Sequence, residues 1–280
     1  MYTIVMHRYI KEEIYLDELL NKLFCSKKTV YLLKQENRIK VNNKQVKENI
    51  LLNKNDIIDI DIIKDETNDI EETYFNLDIL YEDDYLLIVN KPIGVIIHDD
   101  NSTDALDNYV AYYYRSTNQR HKVYHVHRLD KDTSGAILYC KQAYLLPLLD
   151  KMLQEKKIQR TYLALASGNI SKKMTINKPI GSDRHHNNRY VISSTGKEAI
   201  TQVEPLKRFG KNTLVKCKLK TGRTHQIRVH LASISHPIVG DTIYGNIPAE
   251  RLMLHSCSIA LTHPITNEKL EVVCPVTFPI

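Results

Sequence analysis

Val126-His-Arg-Leu-Asp-Lys-Asp-Thr-Ser-Gly-Ala-Ile-Leu-Tyr139 runs from a charged loop straight into an apolar strand. Thr133, Ser134 and Gly135 close the polar part, and residues 136–139 are an unbroken apolar run of the kind a strand inside a sheet carries. Arg128 and Asp130 therefore sit on a loop braced by a rigid element, where functional side chains concentrate. Taken alone, an Asp two residues from an Arg serves as readily in a structural salt bridge as in a site.

Outward from this stretch, residues 79–90 read as a strand, an acidic turn and a buried strand, and 162–166, 213–220 and 270–273 are strand-like. Residues 141–155 and 224–235 have helical spacing, the first expected to be weakened or kinked by Pro147. The mixture predicts an α+β domain with a large mixed or antiparallel sheet over residues 77–280. Ahead of it, Leu16, Leu19, Leu20, Leu23 and Phe24 recur at helical spacing, and Ser26 is placed to cap a second helix over 27–36. Residues 38–46 read as a hairpin turning at Asn42 and Asn43, and 56–63 as a last strand, which makes a small N-terminal α/β domain over residues 1–63. Residues 64–76 are polar, acidic and without periodicity, and read as a loosely ordered linker.

The 280 residues are 26% charged and 42% hydrophobic, ordinary for a globular chain, with a formal net charge of +6. Residues 1–60 hold 11 Lys and Arg against 8 Asp and Glu, 61–90 hold Lys64 against ten acids, and 91–280 hold 27 bases against 15 acids. Two basic flanks around an acidic stretch suit a nucleic-acid partner without requiring one. Five cysteines (Cys25, Cys140, Cys217, Cys257 and Cys274) are dispersed with no paired spacing. That points to reduced thiols in the cytoplasm, not to a disulfide framework or a zinc site. No apolar run approaches the roughly 18 residues of a membrane span, and residues 1–13 lack the apolar core of a secretory leader.

His127 to Gly135 match the string His-Arg-Leu-Asp-x-x-Thr-Ser-Gly throughout. On that string the larger part of the chain resembles the RluA-like family of RNA pseudouridine synthases. Asn90-Lys-Pro-Ile-Gly-Val-Ile-Ile-His98 is similar to the family's early Lys-Pro-x-Gly block, and Arg160-Thr-Tyr-Leu-Ala-Leu165 to the block with its active-site tyrosine. Thr221-Gly-Arg-Thr-His-Gln-Ile-Arg-Val-His-Leu231, continued by His236-Pro-Ile-Val-Gly-Asp-Thr-Ile-Tyr-Gly245, is similar to the late block. Departures are small: Arg160 stands where relatives usually have Lys, Ala136 replaces a bulkier apolar residue, and Cys140 a small one. The N-terminal unit resembles the alpha-L RNA-binding domain of the ribosomal protein S-four type. There the second helix and the following hairpin present bases to RNA, here Lys27, Lys28, Lys34, Arg38 and Lys40.

The resemblance implies an isomerase. Uridine becomes pseudouridine when the bond from ring nitrogen one breaks, the uracil turns, and carbon five joins the ribose. Nothing is oxidised and no group leaves, so neither cofactor nor metal is expected. Asp130 would attack the anomeric carbon or remove a proton from the neighbouring ribose carbon, and the sequence does not choose. Both routes need an ionised carboxylate, which an adjacent cation secures. The resemblance assigns that cation to Arg223 and makes Arg128 the wedge that enters the helix as the uridine leaves. It stacks the extruded base on Tyr162 and packs Ile227 on its other side. Extrusion costs roughly a few kcal/mol. The partner implied is RNA, large-subunit ribosomal RNA ahead of tRNA, acted on by a monomer in the cytoplasm with no membrane involved. His125 with His127, and His185 with His186, lack a third ligand at metal-site spacing. A hydrolase would need a second carboxylate at a recognisable spacing, and a non-catalytic RNA binder has no use for Asp130, Tyr162 and Arg223 together.

Overall fold

The structure is a computed structural model that describes residues 5–24, 26–62, 65–276 and 278. Cys25, Lys64 and the end of the strand read over 56–63 lie outside them. The chain opens with β1 (Val5–Tyr9), β2 (Ile14–Tyr15), α1 (Leu16–Phe24) and α2 (Lys27–Gln35). It continues through β3 (Ile39–Val41), β4 (Lys44–Gln45), β5 (Leu51–Leu52) and β6 (Ile57–Asp61). Leu16, Leu19, Leu20 and Phe24 bury one face of α1, the stripe that helical spacing requires. Ser26 caps α2 by accepting the Thr29 N–H at 3.4 Å. Asn42 and Asn43 carry the hairpin at φ 49° and 66°, the left-handed pair of a type I′ turn. The strands form an antiparallel sheet in the order β1-β6-β3-β4, with β2 paired to β5 beside it.

The larger part contains β7 (Asp78–Glu82), β8 (Leu86–Lys91), α3 (Leu106–Ser116), β9 (Tyr124–His125), β10 (Ser134–Cys140) and α4 (Leu146–Gln154). Then come β11 (Gln159–Ser167), β12 (Met174–Asn177), β13 (Ile180–Ser182), β14 (Tyr190–Ile192), β15 (Ile200–Phe209) and β16 (Asn212–Leu219). The last elements are α5 (Gln226–Ala232), β17 (Leu254–Thr262) and β18 (Lys269–Val273). A ten-stranded mixed sheet runs β12-β15-β16-β11-β17-β10-β8-β7, with β18 on β17 and β9 on β10. Its β10–β17 pair is parallel. The protein is thus α+β, a large mixed sheet with a small N-terminal unit.

All seven residues of β10 are buried, because both sheet faces are covered. Ala136, Leu138 and Cys140 point into an apolar cluster shared with α4 and the N-terminal unit. Ile137 and Tyr139 point the other way, into a cluster with α3 and α5, as the two-residue period of a strand dictates. Gly135 is where β10 meets β17. It sits at φ +113°, and a Cβ there would lie 2.3 Å from the Ser256 carbonyl oxygen. No side chain fits that crossing, so the glycine between the polar loop and the strand is a packing requirement.

Two expectations change here. Pro147 does not kink a helix over 141–155, because α4 begins at Leu146 and places the proline in its first turn, where a missing N–H costs nothing. The described residues of the acidic stretch, 65–76, make no helix or strand, yet they are laid along α3 and the segment that follows it. Glu66 receives the Tyr124 hydroxyl at 3.1 Å, Asp69 pairs with Lys122 at 2.7 Å, and Glu72 with Arg115 at 2.6 Å. Phe75 stacks on Tyr109 with ring centroids 4.5 Å apart.

Candidate active site

A cleft of about 1140 Å³ opens over the sheet and is lined by Arg128, Asp130, Tyr162, Arg223 and Ile227 together. Five residues read from three separate sequence blocks therefore meet in one place. The loop that carries Asp130 is held from below by Lys91, at the end of β8. Its ammonium donates to the carbonyls of Pro92, Val95 and Lys131 at 2.9, 2.6 and 3.0 Å. Burial pushes the Lys91 pKa down to about 7, opposed by the charges of Asp132 and Asp130. The three carbonyls use all three ammonium protons, so the lysine clamps two loops together and leaves no donor for a substrate.

Tyr162 sits in β11 and is 4% exposed. The β11–β17 register slips between Thr161 and Tyr162, so that Tyr162 faces Ser256 while Thr161 faces Ser258. Such a bulge re-aims a side chain, and this one sits at the cleft. Burial raises the phenol's pKa, with Arg160 opposing and Asp130 reinforcing the shift, which keeps the ring neutral. Ile227, in the first turn of α5, is 4% exposed. Arg128 is exposed at the cleft wall, and no partner for its side chain is seen among the described residues.

The ion pair of Asp130 differs from expectation. Arg223 does not supply it: its Nε donates to the Glu198 carbonyl at 2.8 Å, outside α5. The guanidinium facing Asp130 belongs to Arg228, with Nη1 3.8 Å from Oδ2. Arg228 is 3% exposed, and its Nε and Nη2 donate side by side to the carboxylate of Asp241, each at 2.8 Å. Asp241 also accepts the Ile243 and Tyr244 N–H groups at 2.9 and 3.0 Å. Burial alone would raise the Asp241 pKa, and the Arg228 bonds lower it overall. The ring of Tyr244 closes over the guanidinium at 5.2 Å. One edge of Arg228 is thus pinned and the other left for Asp130, a fork geometry lysine lacks.

Sequence reasoning does not single out Arg228, Asp241, His225 or Tyr244 as site residues. A signal is present: in Ile227-Arg-Val-His-Leu231 an arginine stands among apolar residues of one helix, and a buried arginine demands a carboxylate. The basic residues of the N-terminal unit also divide. Lys27, Lys28 and Lys40 are exposed. Lys34 is paired with Asp17, and Arg38 is bound to Glu36 at 2.8 Å and Asp61 at 3.3 Å. Arg38 also lies over the ring of Tyr144 at 5.6 Å, and that tyrosine's hydroxyl donates to Glu36 at 2.7 Å. Lys34 and Arg38 are therefore committed to internal ion pairs, and Arg38 joins the N-terminal unit to the turn between β10 and α4.

Residues 85–233 match the family described as RNA pseudouridylate synthase, and residues 10–58 match the RluD ribosomal pseudouridine synthase N-terminal domain. The chain belongs to the RNA pseudouridine synthases. It is 42% identical over 260 residues to the uncharacterized RNA pseudouridine synthase YhcT of Bacillus subtilis, covering 90% of this chain and 86% of that one. It is 35% identical over 284 residues to the ribosomal large subunit pseudouridine synthase D of Buchnera aphidicola, covering 93% and 90%. Among solved structures, human RNA pseudouridylate synthase domain containing 1 superposes with a TM-score of 0.60 at 29% identity, covering 71% of this chain and 83% of that one. This pseudouridine synthase is an RNA-directed isomerase. Among the described residues no helix is long and apolar enough to cross a membrane, and no group of three or more His, Cys, Asp or Glu is placed to hold a metal.

One histidine of the loop that carries Asp130 is structural. His127 is 5% exposed, and its Nε2 accepts the Leu138 N–H of β10 at 3.2 Å. Burial, reinforced by Arg160, pushes its pKa down to about 3. Unfolded, the ring titrates near 6.5, so between about pH 6.5 and 3 the unfolded chain binds a proton that the folded chain does not. Stability therefore falls as pH falls through that window, by up to about 1.4 kcal/mol per pH unit from this residue. In His127→Gln the slope of unfolding free energy against pH, measured by denaturant titration from pH 6 to 4, is expected to flatten by about that amount. An unchanged slope would mean that the folded protein protonates His127 freely.

Proposed function

We propose that this synthase isomerises uridines of large-subunit ribosomal RNA, as a monomer in the cytoplasm, with Asp130 as its nucleophile or base. The observation that carries the reading is Asp130 itself, a carboxylate in an open cleft, facing a cation that Asp241 anchors from behind. Arg228 sets a fixed positive charge beside Asp130 when RNA displaces water. Asp130 then bonds to the anomeric carbon or takes a proton from the neighbouring ribose carbon, and the bond from ring nitrogen one breaks. Carbon five joins the ribose as Asp130 leaves the anomeric carbon, or returns the proton to the neighbouring carbon; carbon five then loses its proton, and ring nitrogen one gains one. Tyr162 and Ile227 hold the turned base between them, and Arg128 fills the gap it leaves in the RNA. Ribosomal RNA is favoured by the match of residues 10–58 and by the relative named ribosomal large subunit pseudouridine synthase D. The free thiols Cys140, Cys217 and Cys274 suit a reducing compartment.

The test is release of tritium from carbon five of uridine in large-subunit ribosomal RNA transcripts, with a tRNA pool alongside. Release from ribosomal RNA is expected. Release from tRNA alone would reassign the substrate, and release from neither would sink the reading.

The exposed N-terminal lysines carry a separate expectation. Lys27→Ala, Lys28→Ala and Lys40→Ala combined should lower the salt dependence of RNA binding, by about 0.7–0.9 in slope for each phosphate no longer neutralised. Lys34→Ala and Arg38→Ala should instead lower the unfolding temperature, since their partners are Asp17, Glu36 and Asp61. Salt titrations of binding beside thermal unfolding check both. An unaltered slope in the triple variant would show that α2 and its hairpin do not touch that RNA.

A further inference from the structure

Asp130 has a second neighbour, and its placement is strained. His225 precedes α5 at φ 56°, a left-handed backbone that costs a non-glycine residue about 1 kcal/mol or more and persists where the surroundings over-determine it. Two tyrosines do so here. The His225 ring stands edge-on between Tyr190 of β14 and Tyr244, with both ring centroids at 5.5 Å. Its Nδ1 is 2.8 Å from the Tyr244 hydroxyl, which itself accepts the Tyr190 N–H at 2.9 Å. With that N–H received, the phenol's own proton is available to Nδ1, and this is the pairing the proposal uses. A neutral ring that accepts at Nδ1 carries its own proton on Nε2, and Nε2 lies 3.9 Å from Oδ2 of Asp130. Burial lowers the imidazole's pKa, opposed by Asp130, Asp241 and Asp132 and reinforced by Arg228.

We propose that His225 is a positioning residue for the isomerisation: locked by Tyr244, it presents its Nε2–H to Asp130 and aims the carboxylate at the ribose. Arg228 supplies charge from one side, and His225 supplies a directional donor from the other. Held by both, the carboxylate cannot rotate away from an incoming sugar. A separation of 3.9 Å closes to a hydrogen bond when substrate fills the cleft, as catalytic hydrogen bonds in free enzymes commonly do. The inference rests on Asp130 being the reacting carboxylate.

The experiment measures single-turnover tritium release by the full-length protein from large-subunit ribosomal RNA transcripts labelled at carbon five of uridine. His225→Asn keeps a residue that tolerates the left-handed backbone, but its amide stops short of Asp130. A lost hydrogen bond to a charged group predicts a rate about 10- to 100-fold lower, with the half-saturating RNA concentration unchanged within about twofold. His225→Gln, whose longer amide restores a donor, should recover most of that rate. Tyr244→Phe keeps the ring over Arg228 and removes the lock together with the acceptor of the Tyr190 N–H, so it should slow the wild type but add nothing to the rate loss of His225→Asn. Rates within twofold of wild type in His225→Asn would overturn the proposal. So would a loss that Gln does not repair, or one matched by weaker RNA binding and a lower unfolding temperature. Asp130→Asn is run in parallel: activity in that variant overturns the reading of Asp130, whereas an inert Asp130→Asn beside an unimpaired His225→Asn overturns the role of His225 alone.

Discussion

Asp130→Asn is expected to lower tritium release by at least about a thousandfold, the scale on which covalent or basic catalysis fails when its reacting group is removed. The fold should survive. Asparagine has nearly the same volume, and the carboxylate it replaces is partly open to the cleft, so little packing is lost. More telling is Arg228. Removing one partner of a buried ion pair is strongly destabilising when the other charge is orphaned, but here Asp241 still holds the guanidinium through two bonds of 2.8 Å. RNA affinity should also hold, because Arg128 and the exposed N-terminal lysines are untouched. Tritium release, RNA binding and thermal unfolding of one purified sample check all three statements. Turnover within tenfold of wild type would remove Asp130 from the chemistry.

The loop that carries Asp130 is legible because its signals are local. A polar run that ends in Gly135 and becomes an unbroken apolar strand can be read along the chain, and so can the cap at Ser26 and the turn at Asn42 and Asn43. What is illegible depends on partners distant in sequence. Arg223 and Arg228 stand in one block, the resemblance assigns the cation to Arg223, and only the pairing of Arg228 with Asp241, thirteen residues on, decides which faces the carboxylate. The acidic stretch lacks periodicity, yet its charges meet Arg115 at the end of α3 and Lys122 beyond it, partners that a residue-by-residue reading of 64–76 has no access to. Lys34 and Arg38 look like RNA-facing bases until Asp17, Glu36 and Asp61 are seen beside them. The N-terminal unit shares one apolar cluster with α4 and the large sheet. A chain cut near residue 76 would therefore expose that surface as well as lose its lysines.

Arg228→Ala should both stop the reaction and destabilise the protein, because the carboxylate of Asp241 is wholly buried and would be left without its cation, at a cost of about 3–5 kcal/mol. Such a result alone does not separate chemistry from folding. The double change Arg228→Met with Asp241→Asn does, since removing both charges removes the burial problem, and stability should return most of the way to wild type. Activity should stay at least about a hundredfold down, because Asp130 has no cation in either protein. Arg223→Ala makes the opposite case: its side chain donates to the Glu198 carbonyl, so turnover on saturating RNA should remain within about tenfold of wild type. Unfolding curves and single-turnover rates for the three proteins decide the matter. If the double variant regained activity along with stability, Arg228 would be scaffolding for α5 and nothing more. If Arg223→Ala proved as inert as Arg228→Ala, the cation that serves Asp130 during the reaction would be Arg223, brought in by RNA from its place beside Glu198.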